Sequence, residues 1–141
     1  MIEEDRKGDE LRRHVPMSRL AQAPPFRQVD RCTDRKPGER CVTVKIFSAA
    51  EELLAGQERV PFPLVLEALC QGAAFLTAGE NVGEGRILRI DHAALEAPVR
   101  IGDALEITSI LLESGAVGLK AECVGRVDQK IVARVELLIA R

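Results

Sequence analysis

The sequence predicts an α+β fold, an antiparallel sheet of about six strands wrapped around one long central helix. Three observations carry this. Residues 60–76, VPFPLVLEALCQGAAFL, read as a helix that is apolar on nearly every side, which belongs inside a protein. After that helix the apolar period changes to two, in runs at 86–93, 104–112, 117–127 and 130–140. The turns between the last runs are short enough to make neighbours antiparallel. An order of two strands, a buried helix and a meander of about four strands implies a sheet curled about the helix, since each element must bury its apolar side against another.

Taken in chain order, residues 1–22 mix both charge signs without an apolar period and predict a flexible charged leader. A single domain is expected over 23–141, a size at which one ordinary core suffices. PPFRQVDRCTDRKPGERCVTVKIF gives a first strand, a turn at Lys36-Pro37-Gly38 and a second strand in which Val42, Val44 and Ile46 alternate with Thr43 and Lys45. Ser48 and Glu51 have the spacing of a capping box and predict a short helix ending near Gly56. Pro61 or Pro63 opens the long helix, and Gly79 closes it. Glu113-Ser114-Gly115 and Val127-Asp128-Gln129 supply the turns of the closing meander.

Composition narrows the function classes. The apolar fraction is 46%, the formal charge is -2, and Phe is the only aromatic type. That balance gives no electrostatic reason to expect nucleic acid and few side chains for base stacking. The apolar run around Glu67 is broken by that carboxylate and by prolines, and falls short of the roughly 20 residues a membrane span requires. The N-terminus MIEEDRKGDELRRH is too charged for a secretory signal, so the chain is expected in the cytosol. Cys32, Cys41, Cys70 and Cys123 form no C-x-x-C pair and have no nearby histidine, which predicts reduced thiols and no metal site. No cofactor is expected either.

Glu67 is the anomaly. A carboxylate in the middle of an all-round apolar helix costs several kcal/mol on burial or must become protonated, an expense that chemistry at a site can justify. Gln71 follows one turn later, on the same face. The structural alternative is that Glu67 merely accepts hydrogen bonds from a neighbouring helix or loop.

Several segments resemble the β-hydroxyacyl-(acyl carrier protein) dehydratases of the FabZ type, which have the hotdog fold. PPFRQVDRCTDRKPGER is similar to the family's opening PF-x-x-VDR and its PG-containing turn, PFPLVLEALCQGAAFL to its PGVLxxEAxAQ helix, and IDHAALEAPVRIGDALEI to its IDNxRFxxPVxPGDxL segment. The resemblance runs from about Pro24 to Arg141. It implies a dimer joined sheet edge to sheet edge, with an acyl chain entering a tunnel between the subunits. A histidine of one subunit takes the C2 proton of a 3-hydroxyacyl thioester, and a carboxylate on the other subunit's central helix serves the departing hydroxyl. The helix N-terminus polarises the thioester carbonyl, where free N–H groups meet developing negative charge. Glu67 falls on the family's carboxylate position and Gln71 on its helix glutamine.

One departure matters. The family's base stands in Gly-His-Phe-Pro-Gly, but here the stretch is LLAGQERVPFP, shorter, with Gln57 after Gly56. An amide has no titratable base near neutral pH, so Gln57 can bind a carbonyl but not abstract a proton. His92 aligns with the asparagine of the IDN segment and is expected as a partly buried, hydrogen-bonded strand residue sharing a face with Leu88 and Ile90. With Pro61 aligned to the family's helix-opening proline, its next glycine is Phe62, which narrows the approach that glycine permits. Pro63 stands beside it. Gly102-Asp103 reads as turn chemistry, and Leu69, Phe75 and Leu76, like Phe62, either line a tunnel or pack the sheet.

Three functions are expected from this reading. The first is a dehydratase-like protein that binds an acyl thioester on acyl carrier protein or coenzyme A, with Glu67 catalytic and Gln57, Phe62, Pro63, Gln71 and His92 binding substrate. The second is thioester hydrolysis, in which a lone helix carboxylate activates water or attacks the carbonyl without any histidine. The third is a non-catalytic partner subunit, with a homologous chain supplying the histidine in a heterodimer. A homodimer is the default assembly, and a trimer of dimers is compatible with it.

Overall fold

The computed structural model describes residues 25–77 and 86–140. The expected leader over 1–22 and the expected helix stop at Gly79 lie outside these residues. Six strands appear in chain order: β1 Arg31–Lys36, β2 Arg40–Ile46, β3 Ile87–Leu95, β4 Ala104–Ser114, β5 Leu119–Val127 and β6 Lys130–Ile139. Among the described residues one α-helix, α1, spans Phe62–Ala73 and continues as a single 3-10 turn over Ala74–Leu76. All pairings are antiparallel, in the order β1-β2-β4-β5-β6-β3. The expected sheet around one helix forms.

Local chemistry sets the turns. Gly38 takes the left-handed φ of 72° that the β1–β2 turn needs, and its N–H donates to Leu76 O, tying the hairpin to the end of the helix. Asp128 and Gln129 both have positive φ, the geometry of a two-residue hairpin whose twist matches its flanking strands. The capping box forms only in part. Glu51 accepts from Ser48 N–H, and Ser48 Oγ accepts from Ala50 N–H, but the chain then makes one 3-10 turn at Glu52–Leu54 rather than a short α-helix. Strand β5 begins at Leu119, two residues after the expected start, because Gly115 N–H bonds Gly118 O and closes the turn there.

The core lies between α1 and the inner sheet face. Val65, Ala68, Leu69, Gly72 and Ala73 of the helix are buried against a bed that includes Leu105, Ile107, Cys123, Val135 and Leu137. Side chains such as Leu69 and Val65 each contribute about 1.5–3 kcal/mol by leaving water. The helix approaches the sheet closely at Gly72, where a Cβ would come within 2.6 Å of Thr43 Oγ1. In β2 the polar members of the alternation, Thr43 and Lys45, are buried alongside Val42 and Val44, so this strand is covered on both faces. Leu64, Leu66, Glu67 and Phe62 are only partly covered. The helix, expected to be enclosed, leaves one flank open in the single chain.

Candidate functional site

The open flank of α1 carries Glu67. Its carboxylate Oε1 accepts a hydrogen bond from Gln71 Nε2 at 2.9 Å, the i,i+4 geometry of a helix face. Gln71 is itself buried and fully used: Nε2 also donates to Phe26 O at 2.9 Å, and Oε1 accepts from Gln28 N–H at 2.6 Å. One amide therefore binds the segment preceding β1 to the helix and fixes one oxygen of Glu67. The other carboxylate oxygen has no partner among the described residues. Glu67 is half-buried rather than enclosed, a correction to the expectation of a carboxylate sealed in apolar surroundings.

The start of α1 offers less than a full first turn of donors. Pro61 caps the helix and Pro63 stands in its first turn, and neither has an N–H. Leu64 and Val65 N–H already bond Pro61 O, at 3.0 and 3.3 Å. That leaves Phe62 N–H as the donor of this turn without a partner among the described residues. The Phe62 side chain is partly buried against the core, and Pro63 is exposed.

Gln57 sits in the exposed loop before the helix. Its backbone N–H donates to Leu54 O, Gly56 beside it has φ 74°, and Val60 and Ile101 N–H anchor the adjoining residues to the 99–101 segment. Its side chain makes no hydrogen bond among the described residues.

His92 departs from its expectation. It is exposed, its φ is +51°, and the β3–β6 register slips between Asp91 and Ala94, so a bulge interrupts the alternation that would have put it on the face of Leu88 and Ile90. Its imidazole makes no hydrogen bond among the described residues. Of the six residues singled out, the structure joins Glu67 and Gln71 directly and leaves Gln57, Pro63 and His92 solvent-accessible without a bond to either.

Four cysteines are free, as expected for reduced thiols. Burial pushes Cys70 up to about 12 and Cys123 up to about 11, and raises Cys41 strongly as well. Such thiols stay protonated and are poor nucleophiles. No group of His, Cys, Asp and Glu suited to a metal ion occurs among the described residues.

Sequence reasoning missed the polar cluster at the end of β2. Lys45 Nζ, almost wholly buried, lies 2.5 Å from Glu51 Oε1 and 3.7 Å from Asp30 Oδ1. An open groove of about 580 Å³ borders it, lined by Arg27, Val29, Asp30, Lys45, Glu51 and Glu52 among others, and Glu67 is not part of it. The alternation gave no signal for it, because it groups Lys45 with Thr43 as the polar side opposite Val42, Val44 and Ile46, and only the structure buries that side.

A six-stranded antiparallel sheet packed on one helix that bears a carboxylate on its open flank defines a hotdog-fold protein. The chain belongs to the FabZ family of 3-hydroxyacyl-[acyl-carrier-protein] dehydratases. It is 35% identical over 130 residues to the FabZ of Anaeromyxobacter sp. (strain K), covering 84% of this chain and 83% of that one. It is 30% identical over 141 residues to the FabZ of Clostridioides difficile (strain 630), covering 94% of each. Among solved structures, the dehydratase heterocomplex ApeI:P from Xenorhabdus doucetiae superposes with a TM-score of 0.76 at 14% identity, covering 92% of both chains, a likeness of fold. No protein-family model matches the chain. No helix among the described residues is long and apolar enough to cross a membrane.

Proposed function

We propose that this chain binds 3-hydroxyacyl thioesters, carried on acyl carrier protein or coenzyme A, in a tunnel between two edge-joined subunits, with Glu67 serving the departing hydroxyl. The observation that carries this is the Glu67–Gln71 pair on the uncovered flank of α1. One carboxylate oxygen is held by the amide and the other is free to meet substrate. In dehydration a base removes the C2 proton, the C3–O bond breaks, and the hydroxyl leaves as water with a proton from the Glu67 carboxyl. Phe62 N–H is the donor available to the thioester oxygen as negative charge develops there.

Edge pairing has its own physical support. Strand β3 ends the sheet with Ile87, Leu88, Ile90 and Leu95 exposed, an edge that invites a partner strand. Its centre reads Arg89-Ile90-Asp91, so two antiparallel copies centred on Ile90 set each Arg89 opposite an Asp91. The same assembly covers the open flank of α1.

A second reading, favoured by Gln57 standing where the family has its base, is that the proton acceptor comes from a non-identical hotdog subunit. The Xenorhabdus doucetiae neighbour is by name a dehydratase heterocomplex. Both readings keep Glu67 as the acid.

The test is to incubate purified protein with 3-hydroxybutyryl and crotonyl thioesters of coenzyme A and of acyl carrier protein. Dehydration or hydration changes the enoyl absorbance, whereas hydrolysis releases a free thiol. Glu67→Gln is expected to remove at least about 100-fold of any activity, and Gln57→His to raise dehydration at least about tenfold, a part of the roughly 10²–10⁴ that a fully positioned base supplies. Free thiol in place of enoyl exchange assigns hydrolysis instead, and full activity in Glu67→Gln removes Glu67 from either chemistry. An inactive chain whose melting temperature still rises with acyl thioester fits the second reading, by linkage.

A further inference from the structure

Dehydration has two routes with different demands, and the groups around Glu67 meet only one of them. If the C2 proton leaves first, negative charge builds on the thioester oxygen, so the site must supply a base together with donors for that oxygen. If the C3–O bond breaks first, positive charge builds on C3. That route asks the site for an acid.

Donors are scarce at the start of α1. Pro61 and Pro63 have no N–H, and Leu64 and Val65 N–H turn back to Pro61 O, which leaves Phe62 N–H as the donor of this turn without a partner among the described residues. Bases are scarce as well. Gln57 is an amide, and the Cys70 thiol, near enough to feel the charge of Glu67, is pushed up to about 12 chiefly by burial and keeps its proton. His92 stands exposed at a bulge of β3 with no bond to Glu67 or Gln71. The acid is better provided for. Gln71 Nε2 holds Glu67 Oε1 at 2.9 Å while Gln71 is itself fastened to Phe26 O and Gln28 N–H, so the second carboxylate oxygen keeps one direction on the uncovered flank.

We propose that the substrates of this chain are 3-hydroxyacyl thioesters whose C3 also carries an aryl or vinyl group, and that Glu67 alone performs both proton transfers. This rests on the reading of Glu67 as the acid. With Oε1 engaged by the amide, a single oxygen serves the reaction, and it must give its proton before it can take one. The steps are therefore sequential. Oε2 donates to the C3 hydroxyl, the C3–O bond breaks with its electron pair on oxygen, and water departs. The π system beside C3 spreads the positive charge left behind, and the carboxylate that has just lost its proton stands against it. An alkyl group at C3 offers no such relief. Oε2 then takes the C2 proton, the C2–H electron pair becomes the C2=C3 bond, and Glu67 is protonated again as the conjugated enoyl thioester leaves. Phe62 N–H holds the thioester carbonyl in place, where little negative charge develops on this route and one donor suffices.

Kinetics of the full chain with 3-hydroxy-3-phenylpropanoyl and 3-hydroxybutyryl thioesters of coenzyme A, followed by enoyl absorbance, test this. The phenyl thioester is expected to show a kcat/KM at least about 100-fold higher, since the alkyl one lacks the roughly 10²–10⁴ that a positioned base supplies. Among ring-substituted phenyl thioesters, the para-methoxy compound should react at least about tenfold faster than the para-nitro, because the slow step puts positive charge beside the ring. Deuterium at C2 should leave the rate unchanged, as that bond breaks after the slow step. Gln57→His should narrow the gap between phenyl and butyryl thioesters at least about tenfold by giving the alkyl substrate a base. Equal rates on the two substrates, a faster para-nitro compound, or slowing by C2 deuterium would mean that a separate base acts first and would overturn the proposal, while an inactive Glu67→Gln would still leave Glu67 as the acid. Full turnover of the phenyl thioester by Glu67→Gln would overturn the reading of Glu67 as well. A chain whose melting temperature rises with the phenyl thioester but which turns over neither substrate sinks the proposal and leaves acyl binding standing.

Discussion

Gln71 Nε2 lies 2.9 Å from Glu67 Oε1, and the same side-chain amide bonds Phe26 O and Gln28 N–H. The residue that orients the carboxylate therefore also fastens the entering chain to the helix. Gln71→Leu should cost about 2–4 kcal/mol, since it strands a buried N–H and a carbonyl, each worth about 1–3 kcal/mol when unsatisfied. Urea denaturation measures this. A loss below about 0.5 kcal/mol would mean that the segment is held elsewhere.

Helix and sheet meet at Gly72 with no room for a side chain. A Cβ there would sit 2.6 Å from Thr43 Oγ1 and 3.3 Å from Ile107 Cγ2. Gly72→Ala gains about 1 kcal/mol of helix propensity but forces overpacking that costs about 1–3 kcal/mol. A net destabilisation of about 1–2 kcal/mol is expected in thermal unfolding. Adding Thr43→Ala should recover most of it, because the clash is with that hydroxyl, which has no hydrogen-bond partner among the described residues. If the double variant is no better than Gly72→Ala, the close approach is not at Thr43.

The buried ammonium of Lys45 depends on Glu51, whose second oxygen also accepts from Ser48 N–H at 2.7 Å. Glu51→Ala leaves the ammonium with the more distant Asp30 and the face of the Phe47 ring and should cost about 2–4 kcal/mol. Lys45→Met with Glu51→Gln removes the charge together with its partner, so that pair should cost clearly less than Glu51→Ala. Chemical denaturation of the three proteins gives the order, and the reverse order would contradict a buried ion pair.

Above pH 9 the buried thiols make stability pH-dependent. Desolvation holds Cys123 up to about 11, with Ser109 opposing the shift and Glu122 adding to it, against an ordinary thiol value of 9.0. Between about pH 9 and 11 the unfolded chain releases this proton while the native chain keeps it. The unfolded state then binds fewer protons, so stability falls as pH rises through that window and is fully present below it. Melting curves from about pH 8 to 11 should show a shallower decline for Cys123→Ala than for the unaltered chain. Equal slopes would indicate that Cys123 ionises alike in both states.

The sequence alone determined the architecture. Period-two runs after an apolar helix, separated by two- and three-residue turn signals, leave few ways to bury their apolar sides, and the sheet formed with strand bounds within a few residues of those expected. Glu67 and Gln71 were also legible, because i,i+4 spacing places two polar residues on one helix face whatever the helix packs against. Tertiary structure decided the rest. Whether Glu67 is enclosed depends on which flank of α1 the sheet covers, and His92 turned outward because of a bulge set by the register of β3 on β6. Gln71 meets Phe26 O and Gln28 N–H only once segments more than forty residues apart in sequence are brought together. Local pattern fixes which elements form and which residues share a face, while the contacts between elements arise from registers and close approaches that no single segment encodes.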